Sequence, residues 1–276
     1  MNPHAPNRSD PIAAIRSIAT HRTLLLELTR REIVGKYKGS WLGSLWTIVN
    51  PLSLLAVYTF VFGVVMKVRW GTGPNAGHGT FALVLFVGMM VHTLFSECVS
   101  KAPSLILDNA TFVKKVVFPL EILPVASVLA ALFHLFVGLL VFLVALEIIT
   151  GSVPLTAPLF PLTLLPAVFF TLGLSWIFAS IGVYFRDMGQ FVSLIVILFL
   201  FLSPVFYPVA SLPADFQSLI ALNPLTMPIE NGRRVLIEGQ LPDWGQLGVQ
   251  IAWTAMVAGL GFWWFQKTRK GFADVV

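Results

Sequence analysis

The chain has 276 residues, 57% of them hydrophobic and only 11% charged, with a mean hydropathy of +0.84; soluble domains carry roughly a quarter charged residues, and disordered chains need the reverse balance. Both classes are excluded, which leaves an integral membrane protein. Eighteen basic against thirteen acidic residues give +5, a balance that in this class reflects topology and anionic lipid rather than nucleic acid, while the single cysteine, Cys98, excludes an internal disulfide and no Cys/His cluster has metal-ligand spacing.

The first segment, residues 1–41, is a polar arm with arginines throughout. Ile12, Ile15 and Ala19 recur at helical spacing, and Leu25, Leu28 and Glu32 continue that face less cleanly. This predicts an amphipathic helix lying in the membrane interface; a basic flank that only fixes topology accounts for the same residues. The arm does not match a cleaved signal peptide and is expected to stay attached.

A hydrocarbon core of roughly 30 Å needs about 20 helical residues. Six stretches qualify, 42–66, 81–99, 120–149, 159–185, 191–208 and 247–265, the fifth being the shortest. An inside N-terminus collects 14 of the 18 basic residues in the cytoplasm and leaves Lys67, Arg69, Arg233 and Arg234 outside, so both termini are expected to be cytoplasmic. The domain reading is a single transmembrane unit over 1–276: arm 1–41, six-helix bundle 42–266 and cytoplasmic tail 267–276.

Two connecting segments stand out. Residues 100–119 run from Pro103 to Pro119 with Leu105, Ile106, Phe112 and Val113 among polar neighbours; one short helix fits there, either a plain connector or a handle for a cytoplasmic partner. Residues 211–244 lie on the outer side yet hold two apolar pieces, 214–222 and 227–238, broken at Asn223-Pro224. Each is too short to span. Two half-helices that enter the outer leaflet and return satisfy this pattern if their broken backbone is covered by protein; a periplasmic loop packed on the bundle is the alternative.

Chemistry-bearing residues are scarce. Only His92 and His134 fall near the middle of a span, and Glu97, Glu121 and Glu147 fall toward span ends, which argues against a proton-coupled carrier. No nucleophile and base can be paired, and no G-x-x-x-x-G-K-[ST] phosphate loop occurs; no catalytic or metal residue is assigned, and any work must be driven by a partner. The aromatic residues are the positive signal: 23 Phe, 8 Trp and 4 Tyr. At 100° per residue Trp46, Asn50, Ser53, Val57 and Phe60 share a stripe of the first span, a mixture of rings and hydrogen-bonding groups suited to a sliding glycan. Phe191, Phe199 and Phe206 share an arc of the fifth. Lipid contact or helix packing accounts for both. Ser175, Ala179 and Gly182 read as a close helix-packing face.

Several segments together resemble one family. Thr29-Arg30-Arg31-Glu32-Ile33, Lys36-Tyr37-Lys38-Gly39-Ser40-Trp41-Leu42-Gly43-Ser44-Leu45-Trp46 and Asn50-Pro51-Leu52 resemble the N-terminal signature of ABC-2-type polysaccharide permeases. Lys114-Lys115-Val116-Val117-Phe118-Pro119, Tyr184-Phe185-Arg186-Asp187 and Asn223-Pro224-Leu225 follow in order, and Lys267-Thr268-Arg269-Lys270-Gly271-Phe272-Ala273-Asp274 is similar to the C-terminus of lipopolysaccharide O-antigen exporters. The resemblance covers nearly the whole chain.

It implies a permease half of the bacterial inner membrane that pairs with a second copy of itself and with two copies of an ABC ATPase subunit, which binds the ATP and Mg. The cargo is lipid-linked polysaccharide moved from the cytoplasm, and this chain carries no cofactor. Residue by residue it makes Pro103, Leu105, Ile106 and Phe112 candidates for ATPase coupling, Asn223 and Pro224 for a periplasmic gate, and Trp46, Asn50, Ser53, Phe60, Phe191, Phe199 and Phe206 for the channel wall. Arg30, Arg31, Lys36 and Lys38 are candidates for recruiting the lipid diphosphate by charge, although topology explains them too. Another cargo (capsule, teichoic acid or a drug), a glycan-modifying membrane enzyme and a passive channel are the alternatives.

Overall fold

A computed structural model describes residues 11–66, 78–113 and 118–275. Among these residues the chain is helical, without a strand. Pro11–Thr20 is α1, Arg22–Gly35 α2, Trp46–Tyr58 α3, His78–Leu105 α4, Ala110–Val113 α5 and Ile122–Thr150 α6. Phe160–Thr163, Leu165–Tyr184, Met188–Leu202, Ala214–Ala221, Thr226–Arg233, Trp244–Thr268 and Phe272–Val275 are α7 to α13 in order. The expectations that fell on Arg8, Lys67, Arg69 and Lys114-Lys115-Val116-Val117 lie outside the described residues, as do the side chains of Ile12, Ala273 and Asp274.

Five continuous helical stretches are long and apolar enough to cross a membrane: Gly43–Val65, Thr80–Leu105, Ile122–Thr150, Ala157–Tyr184 and Trp244–Gly271. They correspond to five of the six expected spans. The fifth expected span is shorter than 191–208: its helix, α9, covers the 15 residues Met188–Leu202, about 22 Å at 1.5 Å per residue. Pro204 explains the stop, because a proline disfavours helical geometry in the residue before it. Ser203 is accordingly extended, with φ −92° and ψ 149°.

The core is built around α4, which packs on α3, α6, α8, α9 and α11. Leu94, Phe95, Cys98, Val99, Ala102, Leu105 and Ile106 form one continuous buried stripe along it, the 3.6-residue periodicity of a helix with one apolar side. Small residues set the close crossings. A Cβ on Gly182 would fall 2.1 Å from the Pro103 carbonyl oxygen, where α8 crosses α4, and one on Gly261 would fall 2.3 Å from that of Gly173, where α12 crosses α8. Ser175, Ala179 and Gly182 are all buried, so the small-residue face read from their spacing is a packing face. The first apolar helix is the opposite case: Leu52, Leu54, Val57, Phe60 and Val64 of α3 and its π-helical extension Thr59–Val65 are exposed, a surface compatible with lipid or another apolar partner and not with water.

Candidate functional site

The N-terminal arm is fastened to the bundle by charge. On α2, Leu25, Leu28 and Thr29 are buried, and one helical step further along the same face stand Glu32 and Lys36. Lys101 Nζ donates to Glu32 Oε1 at 2.5 Å and Lys36 Nζ to Glu97 Oε1 at 2.8 Å. Glu32 on α2 and Lys36 at its C-terminal cap are four residues apart, as are Glu97 and Lys101 on α4, each pair in the order acid then base, so the two segments run antiparallel through a two-rung ladder. Ser127 of α6 donates to Glu32 Oε1 at 2.6 Å. His134 of α6 places Nδ1 3.0 Å from Glu97 Oε1 and 3.3 Å from Lys36 Nζ, and its ring stands edge-on to Tyr37 at 5.9 Å.

Two clefts flank this ladder. One, of about 540 Å³, lies between α2, α4 and the start of α6 and is lined by Arg31, Glu32, Lys36, Glu97, Lys101 and Asn109 among others. The second, of about 470 Å³, opens between α3, α4 and α6. Its polar end holds Lys36, Glu97 and His134; its other end is apolar, with Phe86, Met89 and Met90.

The same end of the molecule is closed by Glu121. Ser17 of α1 donates to its Oε1 at 2.7 Å and Arg269 to its Oε2 at 2.7 Å, while Trp176 Nε1 donates to its carbonyl oxygen at 3.0 Å. Tyr184 donates to the carbonyl of Thr268 at 3.0 Å and Phe272 is fully buried. The Tyr184-Phe185 segment and the C-terminal segment, both singled out by the resemblance, therefore meet.

At the opposite end α10 and α11 form a helical hairpin. The second arm is inserted into the bundle against α4, α7, α8 and α12, with Ile229, Asn231, Gly232 and Arg233 buried. Arg233 donates to Glu230 Oε1 at 2.8 Å, to the Val205 carbonyl at 2.9 Å and to that of Val84, on α4, at 3.3 Å. Burial pushes the Glu230 carboxyl above its usual range against the pull of Arg233, and burial likewise lowers the Arg233 guanidinium. Asn223 ties the hairpin turn to the end of α9: its Nδ2 donates to the carbonyl of Leu202 at 3.1 Å and to Ser203 Oγ at 3.0 Å, and its Oδ1 accepts from the Leu225 N–H at 2.9 Å. The carbonyl freed where α9 stops is thus satisfied by the hairpin.

Placed on this frame, the sequence-derived candidates separate. Asn50 and Ser53 line the 470 Å³ cleft with Val57, whereas Trp46 is half-buried at the start of α3 and Phe60 is exposed past Tyr58, where π-helical geometry breaks the 3.6 period. Phe191, Phe199 and Phe206 differ in their surroundings. Phe199 packs against Phe95 and Phe170 at 5.0 and 5.7 Å, Phe191 is exposed, and Phe206 follows the Ser203-Pro204 break beside Phe201. Leu105 and Ile106 point into the core, 3% and 0% exposed, and Pro103 is buried against Gly182; the exposed face of that connector is Ser104, Leu107, Asp108 and Thr111. Phe112 stacks on Phe118 at 4.3 Å, with the Arg31 guanidinium 5.3 Å from its ring. Of the four basic candidates, Arg31 also donates to Asn109 at 2.8 Å and Lys36 is paired, while Arg30 and Lys38 are exposed.

The ladder and the Arg233 clamp were missed from sequence. In the sequence Glu97 is an acid toward a span end, His134 a histidine near mid-span and Arg233 a charge left on the outer side. The readable signal was the 3.6 period of α4, which continues through Ala102, Leu105 and Ile106 and puts Glu97 and Lys101 side by side on an adjoining face.

An arm bolted to a helical bundle, a buried central helix and an inserted hairpin at the far end, on a chain with five membrane-length helices, define a multi-pass membrane transport protein: the chain belongs to the ABC-2 type transporter family, whose model matches residues 23–237. Among its relatives is the O-antigen export system permease protein RfbA of Myxococcus xanthus, 32% identical over 268 residues that cover 96% of this chain and 100% of that protein. The O-antigen export system permease protein RfbA of Klebsiella pneumoniae is 29% identical over 255 residues, 92% of this chain and 95% of the relative. The polysialic acid transport protein KpsM of Escherichia coli is 25% identical over 232 residues, 82% and 84% of the two chains.

Proposed function

We propose that the chain is the permease subunit of an ATP-driven exporter that moves a lipid-linked, O-antigen-like polysaccharide across the bacterial inner membrane. The observation that carries this reading is the end-to-end similarity to two O-antigen export permeases, at higher identity than to the polysialic acid transport protein. The sequence holds no phosphate loop, so ATP and Mg are assigned to a separate ABC ATPase present in two copies, paired with two copies of this chain. In this reading both termini are cytoplasmic, α2 lies in the cytoplasmic interface, α9 is the fifth of six crossings despite its length, and the α10–α11 hairpin re-enters the outer leaflet with Asn223-Pro224 at its tip as the gate.

The geometry supports a specific route for the stroke. α4 emerges from the connector whose exposed face is Ser104, Leu107, Asp108 and Thr111, runs buried through the bundle, and at its other end supplies the Val84 carbonyl that Arg233 of the hairpin grips. A rigid-body shift imposed on the connector by the ATPase therefore reaches the hairpin through one helix. The exposed apolar faces of α3 and α9 are the surfaces assigned to the second copy and to the channel, with Arg30 and Lys38 left to attract the anionic diphosphate.

The test is reconstitution with the cognate ATPase. ATP hydrolysis is expected to rise on addition of lipid-linked O-antigen-type glycan, and Leu107→Asp with Asp108→Arg is expected to lower ATPase association while the permease stays folded. Failure of any ATPase to associate, or indifference of hydrolysis to every lipid-linked glycan, contradicts the proposal.

A further inference from the structure

Part of the wall read from sequence as a glycan surface, Asn50, Ser53 and Val57, lines a cleft whose chemistry suits hydrocarbon. Asn50 and Ser53 reach it from α3, but most of the remaining lining is apolar, including Met89 and Met90 of α4 and Leu135 of α6. Methionines are adaptable fillers that accept a chain of variable shape. Gly138 leaves the α6 wall open, since a Cβ there would meet nothing closer than Met90 Sδ at 3.8 Å.

Polarity is graded along the cleft. One end carries Lys36, Glu97 and His134, and the other end carries Phe86. From Phe86 to Glu97 α4 rises about 16 Å at 1.5 Å per residue, close to half of a hydrocarbon core of roughly 30 Å. The cleft is therefore one leaflet deep, with its charges at the level of α2 and its apolar end at mid-membrane.

The polar end has hydrogen-bonding capacity in hand. His134 spends Nδ1 on Glu97, and its Nε2 is buried with no hydrogen-bond partner among the described residues. Pro51 has no N–H, so the carbonyl of Thr47, four residues earlier on the same wall, lacks its helical donor. Lys36 is 40% exposed at the cleft mouth, with Lys38 exposed two residues on. Lys36, shared with Glu97, and the exposed Lys38 offer cations to a phosphate, and the other polar atoms here suit a glycerol.

We propose that the α3–α4–α6 cleft is a binding site for one phospholipid of the leaflet on which α2 lies, its acyl chain along Met89, Met90 and Leu135 and its phosphate at Lys36. The match of depth and of charge to one leaflet's lipid carries this inference, and it stands whether or not the polysaccharide reading is correct. Such a lipid would be a fixed part of the wall between α3 and the bundle, stiffening a helix whose outer face is exposed.

The experiment is photolabelling of the full chain in phosphatidylethanolamine and phosphatidylglycerol vesicles with phosphatidylglycerol that carries a diazirine on its acyl chain, followed by peptide mapping. The label is expected to concentrate on the peptide containing Met89 and Met90, above the background on exposed Met256 of α12, and to be lost in Gly138→Phe, which fills the cleft from one side. Ser53→Trp, on the exposed face of α3, fills it from the other and keeps the test informative if Gly138→Phe fails to fold. Label spread evenly over all exposed helices and unchanged by either variant would overturn the proposal. So would labelling of the cleft by a polyprenyl phosphate probe and not by phosphatidylglycerol, or cross-linking of Ser53→Cys between two copies with protection of the cleft, since each names a different occupant.

Discussion

Arg233 joins three parts of the chain through one side chain. It bridges α11, α4 and the segment after α9, and a planar guanidinium can serve three acceptors in fixed directions where an ammonium cannot. Arg233→Lys is therefore expected to behave as a loss, lowering stability by on the order of 3 kcal/mol because acceptors are left buried, measured as the shift of the unfolding midpoint in detergent. Glu230 adds a pH dependence. Its carboxyl is raised by burial, and a raised folded-state value favours the fold at low pH and loses that contribution as pH rises through it. Stability is expected to fall as pH climbs from the ordinary carboxylate range upward, and Glu230→Gln to flatten that slope. Neither role was legible in the sequence, where Arg233 and Arg234 are equivalent neighbours in an outer segment. What distinguishes them is which one falls on the buried side of a helix whose neighbours come from residues 84 and 205, and no local pattern contains that.

Elements were far more legible than their partners. Run length and hydropathy located five of the spans because a helix that must satisfy its backbone inside lipid leaves an unmistakable apolar run; the fifth, 191–208, was drawn past the end of its helix because Pro204 was counted as part of it. The Ser175, Ala179 and Gly182 spacing gave a true crossing, since only a small residue fits against the Pro103 carbonyl. Leu105 and Ile106 stand among polar neighbours and were read as part of a connector or a handle, yet they continue the buried stripe of α4. The α2–α4 ladder makes a sharp prediction at this scale. Reversing one charge, Glu32→Lys or Lys101→Glu, is expected to loosen the arm and lower the unfolding midpoint. The double swap is expected to restore it, with a coupling energy on the order of 1 kcal/mol for partly exposed groups. Equal, additive losses would mean that the ladder does not hold the arm. Gly261→Val is expected to cost more than a surface change, about 1–3 kcal/mol for overpacking a backbone crossing, read in the same assay.

For the whole molecule, the proposed function is a body pushed by an ATPase at one end and opening at the other, with α4 linking the connector to the hairpin through Val84 and Arg233. The most direct measurement is export in sealed vesicles holding this chain and its ATPase, loaded with lipid-linked O-antigen-type glycan and sampled by a glycan-binding protein on the far side. Glycan is expected to cross only when both ATP and the ATPase are present. Equal crossing without the ATPase, or none with both, would contradict the account.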